Sequence, residues 1–219
     1  MEKNPLESLF DAAGGVEDRE GRLEALAQQV SVCTKCDLSE TRTNTVFGTG
    51  DPTSPLMLIG EGPGENEDAT GLPFVGRAGK LLDDILAAVK LSRDKVYLTN
   101  VVKCRACVYE GGRWKNRPPK TAEVNACNPY LRAQLETVKP QVILCLGGPA
   151  AKSIIDKDFR ITKDRGEWHE VYGAKTMATF HPAYVLRQRG DELKETKRLV
   201  WKDIQAVRAE YDRAIKERG

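Results

Sequence analysis

No apolar run in the 219 residues approaches the roughly 20 that a membrane-spanning helix needs, so an integral helical membrane protein is excluded. The opening segment, MEKNPLESLFDAAGG, has no basic region followed by a long apolar stretch. It does not read as a secretion signal, and a cytoplasmic location is expected. A dominant charge is missing too. Thirty-four basic and 32 acidic side chains leave a formal +2 at pH 7, so no global field announces a polyanion, and positive charge meant for one must be local. There is no internal repeat and no low-complexity linker. Histidine is scarce, with only His169 and His181.

What is present suits one soluble α/β domain. Hydrophobic residues at 40% and charged residues at 30% are enough to close a core over this length. Residues 1–19 are polar, contain a Gly-Gly pair and read as a flexible N-terminal extension, with 20–219 as a single domain. A helix is expected from about Arg22 to Val30, with Leu23, Leu26 and Val30 on one face. Four short apolar runs read as buried strands: Leu56–Ile59, Val96–Val102, Val142–Leu146 and Thr176–Phe180. Helical patterns separate them, and a last helix from about Asp191 carries Leu199, Val200, Ile204, Val207, Tyr211 and Ile215 on one stripe. Strands alternating with helices predict a parallel sheet covered on both faces.

Polar and glycine-rich groups cluster after these runs. Gly60-Glu61-Gly62 ends the first strand, Asn100 sits in the second, Leu146-Gly147-Gly148-Pro149 ends the third, and His181-Pro182 ends the fourth. Open α/β sheets bind ligands beyond the carboxyl ends of their strands, so four ends with such groups predict a pocket.

Six cysteines without a secretion signal read as metal ligands or free thiols. Cys33-x-x-Cys36 and Cys104-x-x-Cys107 have the spacing of a four-thiolate zinc site. Cys127 competes as the fourth ligand, and an iron–sulfur cubane suits four thiolates equally. Cys145, inside VILCL, reads as a small core residue.

The glycine-rich stretch GEGPGENEDATGLPFVGRAGK matches neither a dinucleotide fingerprint, since Glu65 occupies the third glycine position, nor a Walker loop. Glu65, Glu67 and Asp68 would repel phosphates. The loop therefore reads either as a cradle for a neutral ligand edge or a water, or as an acidic solvated turn. Phe74 is core or a stacking platform. Asn100 is unusual in a buried strand, because an unpaired amide there costs about 1–3 kcal/mol. Its paired donor and acceptor fit a pyrimidine or amide edge. His181 is placed to donate to a developing oxyanion, and His169, in an expected surface strand, has no assigned role.

The motifs GEGPGENED, GLPFVGRAG, TNVVKCR, NRPP, LGGPA and HPAYVLR follow the first CxxC in this order. Together they resemble the iron–sulfur (family 4) uracil-DNA glycosylases over about Cys33 to Arg187. The resemblance implies a three-layer α/β/α sandwich with a central four-stranded parallel sheet, and a 4Fe–4S cluster held by Cys33, Cys36, Cys104 and Cys127. It implies a monomeric, monofunctional enzyme of base-excision repair acting on uracil-containing DNA. Glu61 would lie near the attacking water and the Gly62 backbone against the base. Glu67 and Asn116 would line the pocket, Phe74 stack on uracil, Asn100 read its N3/O4 edge and His181 face O2. In HPAYVLR, Tyr184, Val185 and Leu186 read as a wedge filling the vacated stack, with Arg187 on a phosphate. Lys103, Arg105, Arg113, Lys115 and Arg117 would present local positive charge to DNA. A relative that traps the abasic sugar does so with a histidine after the second strand; this chain has none between Asn100 and Trp168, so turnover is expected. The rival reading is a cluster-bearing protein that recognises a base without cutting it.

Overall fold

The computed structural model describes residues 16–218. In chain order the elements are α1 (Val16–Ser31), α2 (Leu38–Thr41), β1 (Thr49–Gly50), β2 (Leu56–Gly60), α3 (Glu65–Thr70), α4 (Arg77–Ala88), β3 (Tyr97–Asn100), β4 (Cys107–Glu110) and β5 (Arg113–Asn116). They continue with α5 (Thr121–Val138), β6 (Val142–Leu146), α6 (Gly148–Ile154), α7 (Ile161–Asp164), β7 (His169–Val171), β8 (Ala174–Thr179), α8 (Pro182–Val185) and α9 (Gly190–Arg218). Residues 1–15 of the expected extension lie outside the described residues. Residues 16–19 of it are helical, because α1 begins six residues before Arg22.

The sheet has the order β1-β3-β2-β6-β8-β7. Its four inner strands β3, β2, β6 and β8 are parallel, and the edge strands β1 and β7 run antiparallel. The expected four-stranded parallel sheet is therefore the centre of a six-stranded one. The added strands span two and three residues, too short to show a pattern in sequence. Alternation along the inner strands makes the three layers. Met57 and Ile59 of β2, with Ile143 and Cys145 of β6, pack on one face among Leu23, Leu131, Leu135, Ala150 and Ile154. Leu56, Leu58, Leu144 and Leu146 pack on the other with Leu82, Leu86, Ile204 and Val207. Strands buried on both sides must be apolar at every position, which is why they read as continuous runs.

This topology fixes where a ligand can sit. The chain leaves β2 for β3 on one side and then crosses to β6 on the other, so β2 ends at the switch point of the sheet. The strand ends carrying Gly60, Asn100, Leu146 and Thr179 open towards the same edge. β3 stops at Asn100, so Val101 and Val102, expected as strand, turn away and let that amide be the strand's last residue.

Candidate active site

A cleft of about 690 Å³ lies at this edge, within the range of small-molecule and cofactor sites. Glu61, Gly62, Glu67, Phe74, Asn100, Asn116, Arg117, His181, Tyr184 and Arg187 all line it. Residues separated by up to 126 positions are thus brought together by four strand ends, the α3–α4 segment and β5.

Asn100 is only 2% exposed. Among the described residues its side-chain amide has no hydrogen-bond partner, and it borders the cleft. Its backbone carbonyl, by contrast, is held by Lys103 Nζ at 2.6 Å. Glycine makes the close approach possible: a Cβ on Gly60 would stand 2.3 Å from Asn100 Oδ1 and 2.7 Å from Phe74 Cζ. Gly60 and Gly79 are site-shaping residues whose role no spacing in the sequence discloses. A Cβ on Gly79 would lie 1.6 Å from the Phe74 carbonyl oxygen.

Phe74 is buried and has a positive φ of 55°, costly for an aromatic residue. Arg93 holds the turn by donating to the carbonyls of Pro73, at 3.0 Å, and Phe74, while Asp83 pairs with the same guanidinium at 2.6 Å. The Phe74 ring faces His181, with centroids 6.5 Å apart and planes inclined by 33°.

His181 caps the four-residue helix α8: the Ala183 N–H donates to its Nδ1 at 3.0 Å. A nitrogen that accepts carries no proton, so Nε2 is the N–H of a neutral imidazole. Burial, aided by the charge of Arg187 and opposed by Glu67, pulls its pKa down to about 4, so the ring stays neutral at physiological pH. Glu61 is half-buried at the end of β2, and desolvation raises its carboxyl above the ordinary range.

The acidic loop presents less charge to the cleft than its composition implies. Glu67 accepts from the Gly64 N–H at 3.1 Å, the Val75 N–H at 2.9 Å and the Gly76 N–H at 2.8 Å. It therefore ties the turn before α3 to the Phe74 loop. Asp68 is buried and accepts from the Thr43 N–H at 2.9 Å. Only Glu65 remains exposed, 3.8 Å from Arg105.

The expected basic surface is corrected in detail. Lys103 is 0% exposed, and its ammonium donates to Thr99 Oγ1 at 2.7 Å, the Asn100 carbonyl at 2.6 Å and Gln134 Oε1 at 2.6 Å. Three acceptors replace water around the charge, and it cannot touch a phosphate. Arg105 is buried and donates to Asn116 Oδ1 at 2.7 Å. Arg117 lines the cleft, but its guanidinium grips the buried Glu123 through two bonds of 2.8 and 2.6 Å. Lys115 pairs with Glu110 at 2.9 Å. Arg113 and Arg187 are exposed and in no ion pair among the described residues. Arg187 lies over the Tyr184 ring at 6.0 Å, and Tyr184 stacks on Phe180 at 4.8 Å. Val185 is buried against Phe180 and Val200 and so is no wedge; Tyr184 and Leu186 stay partly exposed.

On the other side of Lys103 a second, smaller cavity is bordered by Cys33, Cys36, Cys104 and Cys127. Cys107 is not among them; its Sγ lies 3.7 Å from Thr41 Oγ1. The second CxxC is therefore split, one thiol facing the cavity and one facing away, which sequence spacing does not reveal. Arg42 donates to Cys104 Sγ at 3.4 Å and the Lys103 N–H to Cys127 Sγ at 3.3 Å. Burial pushes the Cys104 thiol up to about 11 and raises Cys127 as well. Among the described residues no three Cys, His, Asp or Glu side chains close on a point as ligands of a single ion. The four thiols instead surround a space.

The chain matches the uracil DNA glycosylase superfamily over residues 47–205. It is 43% identical over 195 residues to the type-4 uracil-DNA glycosylase of Thermotoga maritima, covering 87% of this chain and 95% of that protein. It is 42% identical to the type-4 uracil-DNA glycosylase of Archaeoglobus fulgidus, covering 75% and 83%. The corresponding protein of Sulfurisphaera tokodaii is 43% identical, with 75% and 76% covered. No helix of the described residues is long and apolar enough to cross a membrane.

Proposed function

The chain belongs to the uracil-DNA glycosylase superfamily, and we propose that it flips uracil out of DNA and hydrolyses the N-glycosidic bond, leaving an abasic site. The observation that carries this reading is the buried, unpartnered Asn100 amide beside a neutral His181 and the Phe74 ring.

Flipping a nucleotide costs a few kcal/mol of stacking and pairing, which contacts in the cleft must offset. Phe74 offers a ring for the face of the base. The Asn100 side chain offers an acceptor to N3–H and a donor to O4. Cytosine presents a bare N3 and a 4-amino group there, so both bonds would be reversed, and two buried groups would stay unpaired. The C1′–N1 bond breaks with its electron pair leaving on uracil, where the charge spreads to O2. The Nε2–H of His181 donates to that oxygen. A neutral donor suits the task, since it is already in place and need not lose a proton to become neutral. Water adds to C1′, and its proton ends on the departing base. Glu61, as carboxylate, stabilises the cationic sugar or orients that water. Glu67 acts by holding backbone amides, and Gly62 lets the backbone approach the base. Asn116 lines the cleft beside the Gly64–Glu67 turn. Arg187, with Tyr184 beneath it, is an exposed cation at the cleft, placed for a phosphate. Arg117 is a supporting residue of the cleft, its charge offset by Glu123.

The four thiols of Cys33, Cys36, Cys104 and Cys127 fit a 4Fe–4S cluster better than one zinc ion. Zinc requires four sulfurs about 2.3 Å from one point, and these surround a cavity, with N–H donors directed at two of them. When bound, the cluster supplies a rigid tie between the α1–α2 segment, the loop after β3 and α5. Six cysteines with no disulfide among them support a reducing, cytoplasmic setting.

The test is incubation with an oligonucleotide bearing one uracil, followed by alkali. Strand breakage at that position is expected; an intact strand despite binding would favour a base-recognising protein without catalysis.

A further inference from the structure

Apart from Asn116, the β4–β5 hairpin has no part in the reaction, yet it adjoins the cleft. Its register pairs Cys107 with Asn116, Val108 with Lys115, Tyr109 with Trp114 and Glu110 with Arg113. Gly111 and Gly112, both at positive φ, make the two-residue turn that this hairpin needs. Cross-strand partners share a face and successive residues alternate, so Tyr109 and Trp114 lie on the face that carries Asn116. Asn116 lines the cleft. The aromatic pair therefore continues the cleft wall outward, two residues or roughly 7 Å further along the strand.

Tyr109 is 61% and Trp114 47% exposed, with ring centroids 5.3 Å apart and planes at 64°. Among the described residues no other pair of contacting rings has both members exposed. Arg113, next in sequence, is exposed and in no ion pair among the described residues, but the register puts it on the other face of the hairpin, across from Glu110. Two open aromatic rings, in line with a cleft that takes a flipped nucleotide, match what an unpaired base requires. Stacking accepts any base, since every base has a π-face.

We propose that Tyr109 and Trp114 form a stacking platform for an unpaired base flanking the flipped uracil, so that the hairpin favours single-stranded uracil DNA. In duplex DNA the faces of flanking bases are covered by their neighbours, and the platform has nothing to stack on. This inference rests on the glycosylase reading and specifies the substrate of that same site.

The test is the double variant Tyr109→Ala/Trp114→Ala, both side chains being exposed. Steady-state excision is measured on one uracil oligonucleotide, single-stranded and annealed. The expected result is a single-strand KM raised by about five- to a hundredfold, from the stacking of one base, with kcat and the duplex KM unchanged. Tyr109→Phe/Trp114→Phe should restore the single-strand KM. An unchanged single-strand KM, or an equal rise on both substrates, would overturn the platform. Binding to a uracil-free single strand, measured by anisotropy, separates the two readings. A protein that excises nothing, but whose binding weakens in the alanine variant, retains the platform and loses the glycosylase. Excision with unchanged binding and KM does the reverse.

Discussion

Acid is the most informative perturbation of this site, because it acts on an imidazole whose two nitrogens have different tasks. Nδ1 of His181 accepts from the Ala183 N–H, and the ring is held neutral down to a pKa of about 4 against an ordinary 6.5. The difference, 6.5 − 4, is about 2.5 units, or roughly 3 kcal/mol at 1.36 kcal/mol per unit. The folded value is depressed, so the unfolded chain takes up its proton first. The contribution is fully present above pH 6.5, declines as pH falls through the window to about 4, and is then lost. Replacing His181 by Gln removes this linkage. Denaturant unfolding of the wild type and the variant between pH 7 and 4 should show the wild type losing about 3 kcal/mol more over that range. With two histidines in the chain, a proton NMR titration follows the imidazole directly, and His169→Gln assigns the signals. A His181 signal that titrates near 6.5, with parallel stability curves for the two proteins, would refute the neutral-donor reasoning. Excision should likewise survive below pH 6.5. The acid limb of kcat should instead follow Glu61, whose carboxyl burial raises, and Glu61→Gln should abolish that limb.

Charge on the DNA side should be carried by Arg187 and not by Lys103. Arg187→Ala should reduce the slope of log KM against log salt by about 1. Lys103→Met should leave the slope alone and lower unfolding stability on the order of 3 kcal/mol, since it strips a donor from three buried acceptors. An altered salt slope in Lys103→Met would contradict its burial. For the thiols, Cys127→Ser should bleach the broad visible absorption of a cluster and Cys107→Ser should not. The opposite outcome would place the fourth ligand at Cys107.

The inner sheet was legible because strands buried on both faces leave uninterrupted apolar runs such as LMLI and VILCL, and strand ends in such a sheet are where ligands gather. The site residues were legible only through the ordered series of motifs; no periodicity distinguishes Asn100 from a buried structural amide. Edge strands of two and three residues leave no pattern. Nor did charge disclose its own direction. Lys103 sits one residue from a cysteine in a basic stretch, yet β3 ends at Asn100 and the chain turns it inward onto Thr99 and Gln134. Gln134 was the available signal, a polar residue on the apolar face of α5 beside Leu131, Leu135 and Val138. Arg117 likewise reads as a free cation until the fold brings Glu123, six residues later, against it. These contacts depend on turns between elements, which composition and spacing do not encode.

The most direct measurement is single-turnover excision of uracil by the wild type, Asn100→Ala and His181→Ala, with circular dichroism checking that each is folded. A rapid burst is expected from the wild type, and a rate lower by about a hundred- to a thousandfold when the His181 donor is removed, with a comparable loss for Asn100. Both folded variants cutting as fast as the wild type would show that the chemistry takes place elsewhere.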